Sequence, residues 1–161
     1  MPVLEIIGVP QSNYVWAVRM VCEEKGVAYD YKPERPHSPA VDAIHPFGKV
    51  PVMRHGDLEL CESKAIATYI DRVFDGPKVI PDDAKRAAQV EILDRAVAGT
   101  GHLVGDSLTL ADINILPMLF YVNRFEEGKA MLGAAKNLSA YMERHFARPS
   151  FKASAPPPPK K

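Results

Sequence analysis

Between residues 76 and 81 the hydrophobic pattern of this chain changes period, and no other feature limits the possible fold as much. Before that point, short apolar runs of strand length alternate with helical stretches; after it, every periodic stretch is helical. Residues 3–8 (VLEIIG) read as a buried strand ended by Gly8 and Pro10. Residues 13–25 carry Val15, Val18 and Cys22 on one helical face, and Gly26 stops that helix in the manner of a left-handed cap. A second strand is expected over residues 28–32. Four prolines within residues 33–46 leave room for little more than a loop and a short helix. Two extended runs, 50–54 and 57–60, flank His55-Gly56 as a hairpin, and residues 63–74 repeat apolar positions at helical spacing. The order is βαβ, a short helix, then ββα: a small mixed sheet covered by helices.

The second half predicts helices over residues 82–98, 110–124 and 130–146, with a turn-rich break at 99–105. Pro117 is compatible with the middle one only through a kink or an early end. The terminal Ala155-Pro-Pro-Pro-Pro-Lys-Lys is expected to be extended. No internal repeat is visible.

With 20 basic and 20 acidic side chains the formal net charge is zero, so no broad field draws the chain to nucleic acid or to an anionic membrane. No apolar run reaches the length of a membrane span. The start, MPVLEIIGV, lacks a basic region and a cleavage site, so no secretory signal is expected. Two cysteines, Cys22 and Cys61, are too few and too far apart for a disulfide framework or a zinc site. A cytoplasmic location and no bound metal are therefore expected.

Four local features bear on chemistry. Ser12 sits between the first strand and the first helix, where free N–H groups and the helix dipole favour negative charge; taken alone it reads first as a plain N-cap. Gly48-Lys49-Val50-Pro51 puts a proline at the mouth of a strand, where a cis bond would leave Val50 backbone groups free to pair with an extended ligand. Glu62-Ser63 opens a helix and could receive an ammonium and a carboxylate, or simply cap it. Thr109 and Asp112 are spaced as a capping box with Leu108 and Ile113 as its staple, so Asp112 reads as structural rather than catalytic.

Taken together, PQSNYVWAVRMVCEEKGVAYD, HPFGKVPVMRHGDLELCESKAIATYI and GDSLTLADI resemble the glutathione transferase family in order and spacing. The first two look most like its serine-dependent phi and theta types, and the likeness spans residues 3 to 151. It implies an α/β thioredoxin-like N-terminal domain (1–76), a linker (77–81), an all-α C-terminal domain (82–152) and a disordered Pro/Lys tail (153–161). It further implies conjugation of glutathione, as co-substrate rather than cofactor, to a small electrophile by a homodimeric protein. By the same resemblance Ser12 would stabilise the glutathione thiolate, with Gln11 and Asn13 as neighbours able to share the role. Val50 would pair through its backbone with the cysteinyl part, and Pro51 would be the cis proline. Glu62 and Ser63 would hold the γ-glutamyl end, and Lys49 and His37 would face the glycine carboxylate. Neither cysteine occupies the serine position, which argues against the cysteine-dependent branch. The chain is shorter than family members usually are, and the shortage is internal. Residues 82–89 look like the start of one helix and 92–99 like the end of the next, so the electrophile pocket is the altered part and the dimer is expected to be non-standard. A catalytically weak glutathione-binding module of the same fold is the alternative.

Overall fold

The computed structural model describes residues 2–80, 100–126, 129, 132 and 136–157. The helix expected over 82–98 lies outside the described residues. The chain divides into two compact units: residues 1–77 with 153–161, and residues 78–152.

The first unit holds a four-stranded sheet in the order β2-β1-β3-β4. Its elements are β1 (Leu4–Ile7), α1 (Asn13–Lys25), β2 (Tyr29–Lys32), α2 (Pro39–Asp42), β3 (Val52–His55), β4 (Leu58–Cys61) and α3 (Ser63–Val73). β1 and β2 are parallel, as the α1 crossover requires, and the hairpin adds β3 and β4 antiparallel. Ile7 pairs with Val52 and Val52 with Cys61, so these three side chains share one face of the sheet. Val41 of α2 packs on Ile7 and Val52 there. Further along the same face Glu5, Arg54 and Glu59 stand in register, and Arg54 donates to Glu59 at 2.7 Å. The opposite face carries Leu4, Ile6 and Met53, all buried, beneath α1 and α3. α1 ends at Gly26, whose φ of 67° is the left-handed conformation that the sequence requires of it. Lys25 and Asp71 tie α1 to α3 through a buried ion pair at 3.5 Å, and Lys25 also donates to the Pro77 carbonyl.

Residues 153 and 154, expected to start a disordered tail, are instead ordered. Ala153 and Ser154 complete the helix Pro149–Ser154, and Ser154 is fully buried. Its hydroxyl accepts a hydrogen bond from Trp16 Nε1 at 3.0 Å, while the Arg19 guanidinium donates to the Ser154 and Ala153 carbonyls. A buried indole N–H needs an acceptor, and this serine supplies it. Val79, expected within a linker over 77–81, is packed instead. Val79 is buried, and its carbonyl accepts from Leu110 N at 2.8 Å, so it belongs to the second unit.

In that second unit the helix Leu110–Val122 runs on through Pro117, so the early end that the proline allowed does not occur. The helix Lys136–Phe146 falls within the stretch expected over 130–146. Asp112 is the polar centre of the unit. Its Oδ2 accepts from Thr109 N (2.9 Å) and from the Thr109 hydroxyl (3.2 Å). Its Oδ1 accepts from Leu103 N (2.8 Å) and from the Tyr141 hydroxyl (2.9 Å). Burial, and then the carboxylate it donates to, push the Tyr141 phenol far above its ordinary value. The sequence indicates the bond to Thr109; the bonds to Leu103 and Tyr141 are tertiary.

Asp112→Ala strands two buried backbone N–H groups. It is expected to cost about 3 kcal/mol of unfolding free energy, with Asp112→Asn milder because an amide oxygen still accepts. Denaturant midpoints of the two variants check this order. The imidazoles of His102 and His145 are held below their ordinary 6.5, chiefly by burial. The unfolded chain therefore takes up more protons than the folded one as pH falls through 6.5. Their contribution to stability is complete above that value and is lost on acidification toward the lowered folded values. Melting temperatures recorded from about pH 8 to about pH 5 are expected to be level at first and then to fall; a flat profile would contradict the assignment.

Candidate functional site

The register of the sheet decides which loops meet. Ile7 ends β1, Lys32 ends β2, Val52 begins β3 and Cys61 ends β4, and the pairings Ile7–Lys32, Ile7–Val52 and Val52–Cys61 put all four at one end of the sheet. The segments leaving or entering there contain Ser12, His37, Lys49, Val50, Pro51, Glu62 and Ser63. Residues scattered over fifty positions of sequence thus reach a single edge.

Ser12 is the N-cap of α1. Its backbone is extended, and its Oγ accepts from Val15 N at 3.4 Å. The capping role is therefore real, and it does not use the hydroxyl proton, which remains a donor to anything placed beyond the helix end. Gln11 is exposed and Asn13 is half-buried as the first residue of the helix.

Val50 approaches from the other side. A Cβ built on Gly8 would lie 2.6 Å from Val15 Cγ2 and 2.9 Å from Val50 Cβ. Only a residue without a side chain lets the Val50 segment come that close to the first turn of α1. The Val50–Pro51 peptide is cis. The β3–β4 ladder starts at Val52, so the Val50 backbone lies outside the sheet pairing.

Glu62 leaves β4 with φ 69° and ψ 113°, an unfavourable conformation for a residue with a side chain. Such strain concentrates where position matters more than local comfort. The turn exposes the Glu62 carboxylate and sets Ser63 as the first residue of α3, at the positive end of its dipole. Below it lies His45, which the sequence reading did not single out, although it begins the second motif. Its Nδ1 accepts from Phe47 N at 3.0 Å, which leaves the ring proton on Nε2, 3.7 Å from Glu62 Oε1. The ring is buried, and it presents its N–H edge to the carboxylate from beneath.

His37 and Lys49 stand on either side of Gly48. His37 N donates to the Gly48 carbonyl at 2.9 Å, and a Cβ on Gly48 would fall 2.1 Å from His37 Nδ1. The His37 Nδ1 lies 3.5 Å from Asp42 Oδ1, and its φ of 60° is again left-handed. Lys49 is exposed. Thr109 and Asp112 lie in the other unit. Cys22 is fully buried in α1, and burial pushes its thiol up to about 12. Cys61 ends β4, half-buried.

Family models match most of the chain: the N-terminal domain of glutathione S-transferase over residues 6–78 and the C-terminal domain over 62–149. A stringent starvation protein A homolog of Haemophilus ducreyi is 25% identical over an alignment of 193 residues that takes in 94% of this chain and 89% of that protein. Glutathione S-transferase APIC of Nicotiana tabacum is 24% identical over 204 residues, with 92% of this chain and 95% of the relative covered. Both alignments are longer than the 161-residue chain, so the relatives carry internal positions with no counterpart here. Among solved structures, a glutathione S-transferase from Methylobacillus flagellatus with glutathione bound superposes with a TM-score of 0.82 at 21% identity, over 96% of this chain and all of that one.

In the folded protein a thiol reagent at neutral pH is expected to modify Cys61 alone. Cys22 should react only after denaturation, because its thiol is both buried and protonated. Two equivalents taken up by the native protein would contradict the burial of α1.

Proposed function

The chain belongs to the glutathione S-transferase family, and we propose that it transfers the glutathione thiolate to small electrophilic compounds. The observation that carries this reading is the convergence at one sheet end of a serine hydroxyl, a backbone segment left outside the ladder, and an acidic residue followed by a helix N-terminus. In this reading the γ-glutamyl ammonium pairs with Glu62 and its carboxylate with Ser63 and the first N–H groups of α3. The cysteinyl part lies along Val50 as an added strand. Lys49 and His37 face the glycine carboxylate. The sulfur then lies beyond the N-terminus of α1, where the dipole and the Ser12 hydroxyl favour the thiolate over the thiol. The S–H proton passes to water. The sulfur lone pair forms the new C–S bond, and the leaving group departs with its electron pair or, in an addition, the product carbon takes up a proton. No metal or cofactor is needed for these steps.

A cytoplasmic, detoxifying role and a homodimer belong to the same proposal. The second copy is placed against the outer face of α3, where a concavity lined by Ala65, Thr68, Tyr69 and Val73 is open and Val73 is 51% exposed. In the second unit Met118 and Val122 are also exposed, in keeping with a non-standard association. Among the described residues no helix is long and apolar enough to cross a membrane.

The alternative, a glutathione-binding module with weak catalysis, is favoured by two findings: the internally longer relatives, and a relative over nearly the whole chain whose name does not describe a transferase. Glutathione affinity and turnover of a generic aromatic electrophile, measured on one preparation, separate the two. Retention on immobilised glutathione is expected for the unmodified protein and is expected to be lost in Glu62→Ala/Ser63→Ala. Ser12→Ala should leave glutathione binding nearly unchanged while lowering kcat about 10²-fold and raising the apparent pKa of the bound thiol. Equal retention by the double variant overturns the site. Tight binding without measurable turnover decides for the module.

A further inference from the structure

In the second unit, which contains none of the residues placed in the glutathione site, two histidines and an aspartate meet in the interior. His145 is fully buried on the helix Lys136–Phe146, Asp112 is fully buried in the first turn of Leu110–Val122, and half-buried His102 lies in the turn-rich segment before it. One ligand atom from each lies within 4.8 Å of the others. We propose that His102, His145 and Asp112 form a binding site for a divalent transition-metal ion of the Zn2+ class.

The hydrogen bonding of the rings carries the argument. His145 Nε2 is 2.9 Å from the Gly101 carbonyl. A carbonyl only accepts, so Nε2 holds the ring proton and Nδ1 is a bare lone pair. Among the described residues that Nδ1 is buried without a hydrogen-bond partner, and so is Nδ1 of His102. The two rings stand edge to face, with centroids 5.0 Å apart. Buried polar atoms are normally paired, so two orphaned ring nitrogens in one cluster call for an occupant. An occupant that accepts electron pairs from two neutral imidazoles and sits beside a carboxylate is a cation. Nitrogen donors favour Zn2+ and its neighbours over Mg2+ or Ca2+, which prefer oxygen.

The surroundings have the form of an outer shell. The Gly101 carbonyl orients His145, as a backbone acceptor commonly does for a metal-bound imidazole. Leu103 N and Thr109 N hold the two oxygens of Asp112 from the backbone. The other two donors to that carboxylate are the hydroxyls of Tyr141 and Thr109, and a hydroxyl can turn away to free an electron pair for the ion. Ligands around a tetrahedral ion stand about 3.3 Å apart, so binding requires a small inward movement. His102, half-buried in a turn, is the member able to make it. Filled, the site would staple that turn to both helices. The two histidines lie far apart in sequence and share no ligand spacing, so the motif rules for zinc do not find them.

The test uses the full chain without a polyhistidine tag, stripped with chelator and titrated with Zn2+ alone by calorimetry, and with Co2+ followed by absorption. Expected are one Zn2+ per chain, a melting temperature raised by Zn2+, and visible Co2+ bands without the charge-transfer band of a thiolate ligand. In His102→Gln the affinity should fall at least tenfold and the thermal shift should vanish, while retention on glutathione persists. If that variant fails to fold, the Co2+ spectrum of the unmodified chain decides alone. Absence of saturable Zn2+ binding, as when only water bridges the two nitrogens, overturns the proposal. Binding unaltered by His102→Gln, or a Co2+ spectrum with thiolate charge transfer, means an adventitious ion only and also overturns it.

Discussion

At Gly8 three segments of the first unit crowd together. β1 must end there, α1 must begin a few residues on, and the strand-entry segment at Val50 must pass beside both. A single added carbon would meet Val15 at 2.6 Å and Val50 at 2.9 Å. The close approach places a serine-capped helix end beside a backbone segment that the sheet does not use. Everything proposed for the glutathione site rests on that adjacency, because a thiolate has to lie within reach of both. Buried Val15, Trp16 and Val18 fix the helix, and Ile7 and Val52, packed under Val41, fix the strand ends.

The two units solve the problem of buried charge differently. In the first, Lys25 and Asp71 pair where α1 and α3 meet, and the Pro77 carbonyl takes another ammonium proton. Such a pair adds less net stability than its Coulomb energy suggests, since both ions were desolvated to make it. In the second, one carboxylate is satisfied by donors from the backbone and from hydroxyls. Hydrogen bonds to a charged acceptor are strong, and the penalty for removing the acceptor exceeds the gain from making it. Asp112 therefore fixes the start of its helix, and it also supplies the negative charge beside two imidazoles.

Much of the first unit was readable in the chain. Strand-length apolar runs, the helix stop at Gly26 and the Pro-rich stretch before Val50 predicted βαβ, a short helix and ββα, and the sheet has that order. Ser12 and Ser63 were visible as helix openers, though nothing local separates a cap from a ligand-binding hydroxyl. His45 was not visible as part of the site, because its buried ring acts through a contact with Glu62 that only the turn at residue 62 creates. Pro117 left a kink or an early end open, and the helix does not end there. A proline inside a helix is costly, but the packing of its neighbours Ile113 and Leu116, both at zero exposure, carries the helix through it.

The sequence by itself determined the division into a mixed α/β part and a helical part, the element order, and the capping bond between Asp112 and Thr109. Those follow from hydrophobic period and short-range chemistry, which act over a few residues. Tertiary structure alone decided which loops share an edge, that Ser154 receives the Trp16 indole proton, and that His102 and His145 face each other beside Asp112. Such pairings depend on the register of strands and the docking of helices. Both are settled by the packing of the whole unit, and no spacing along the chain records them.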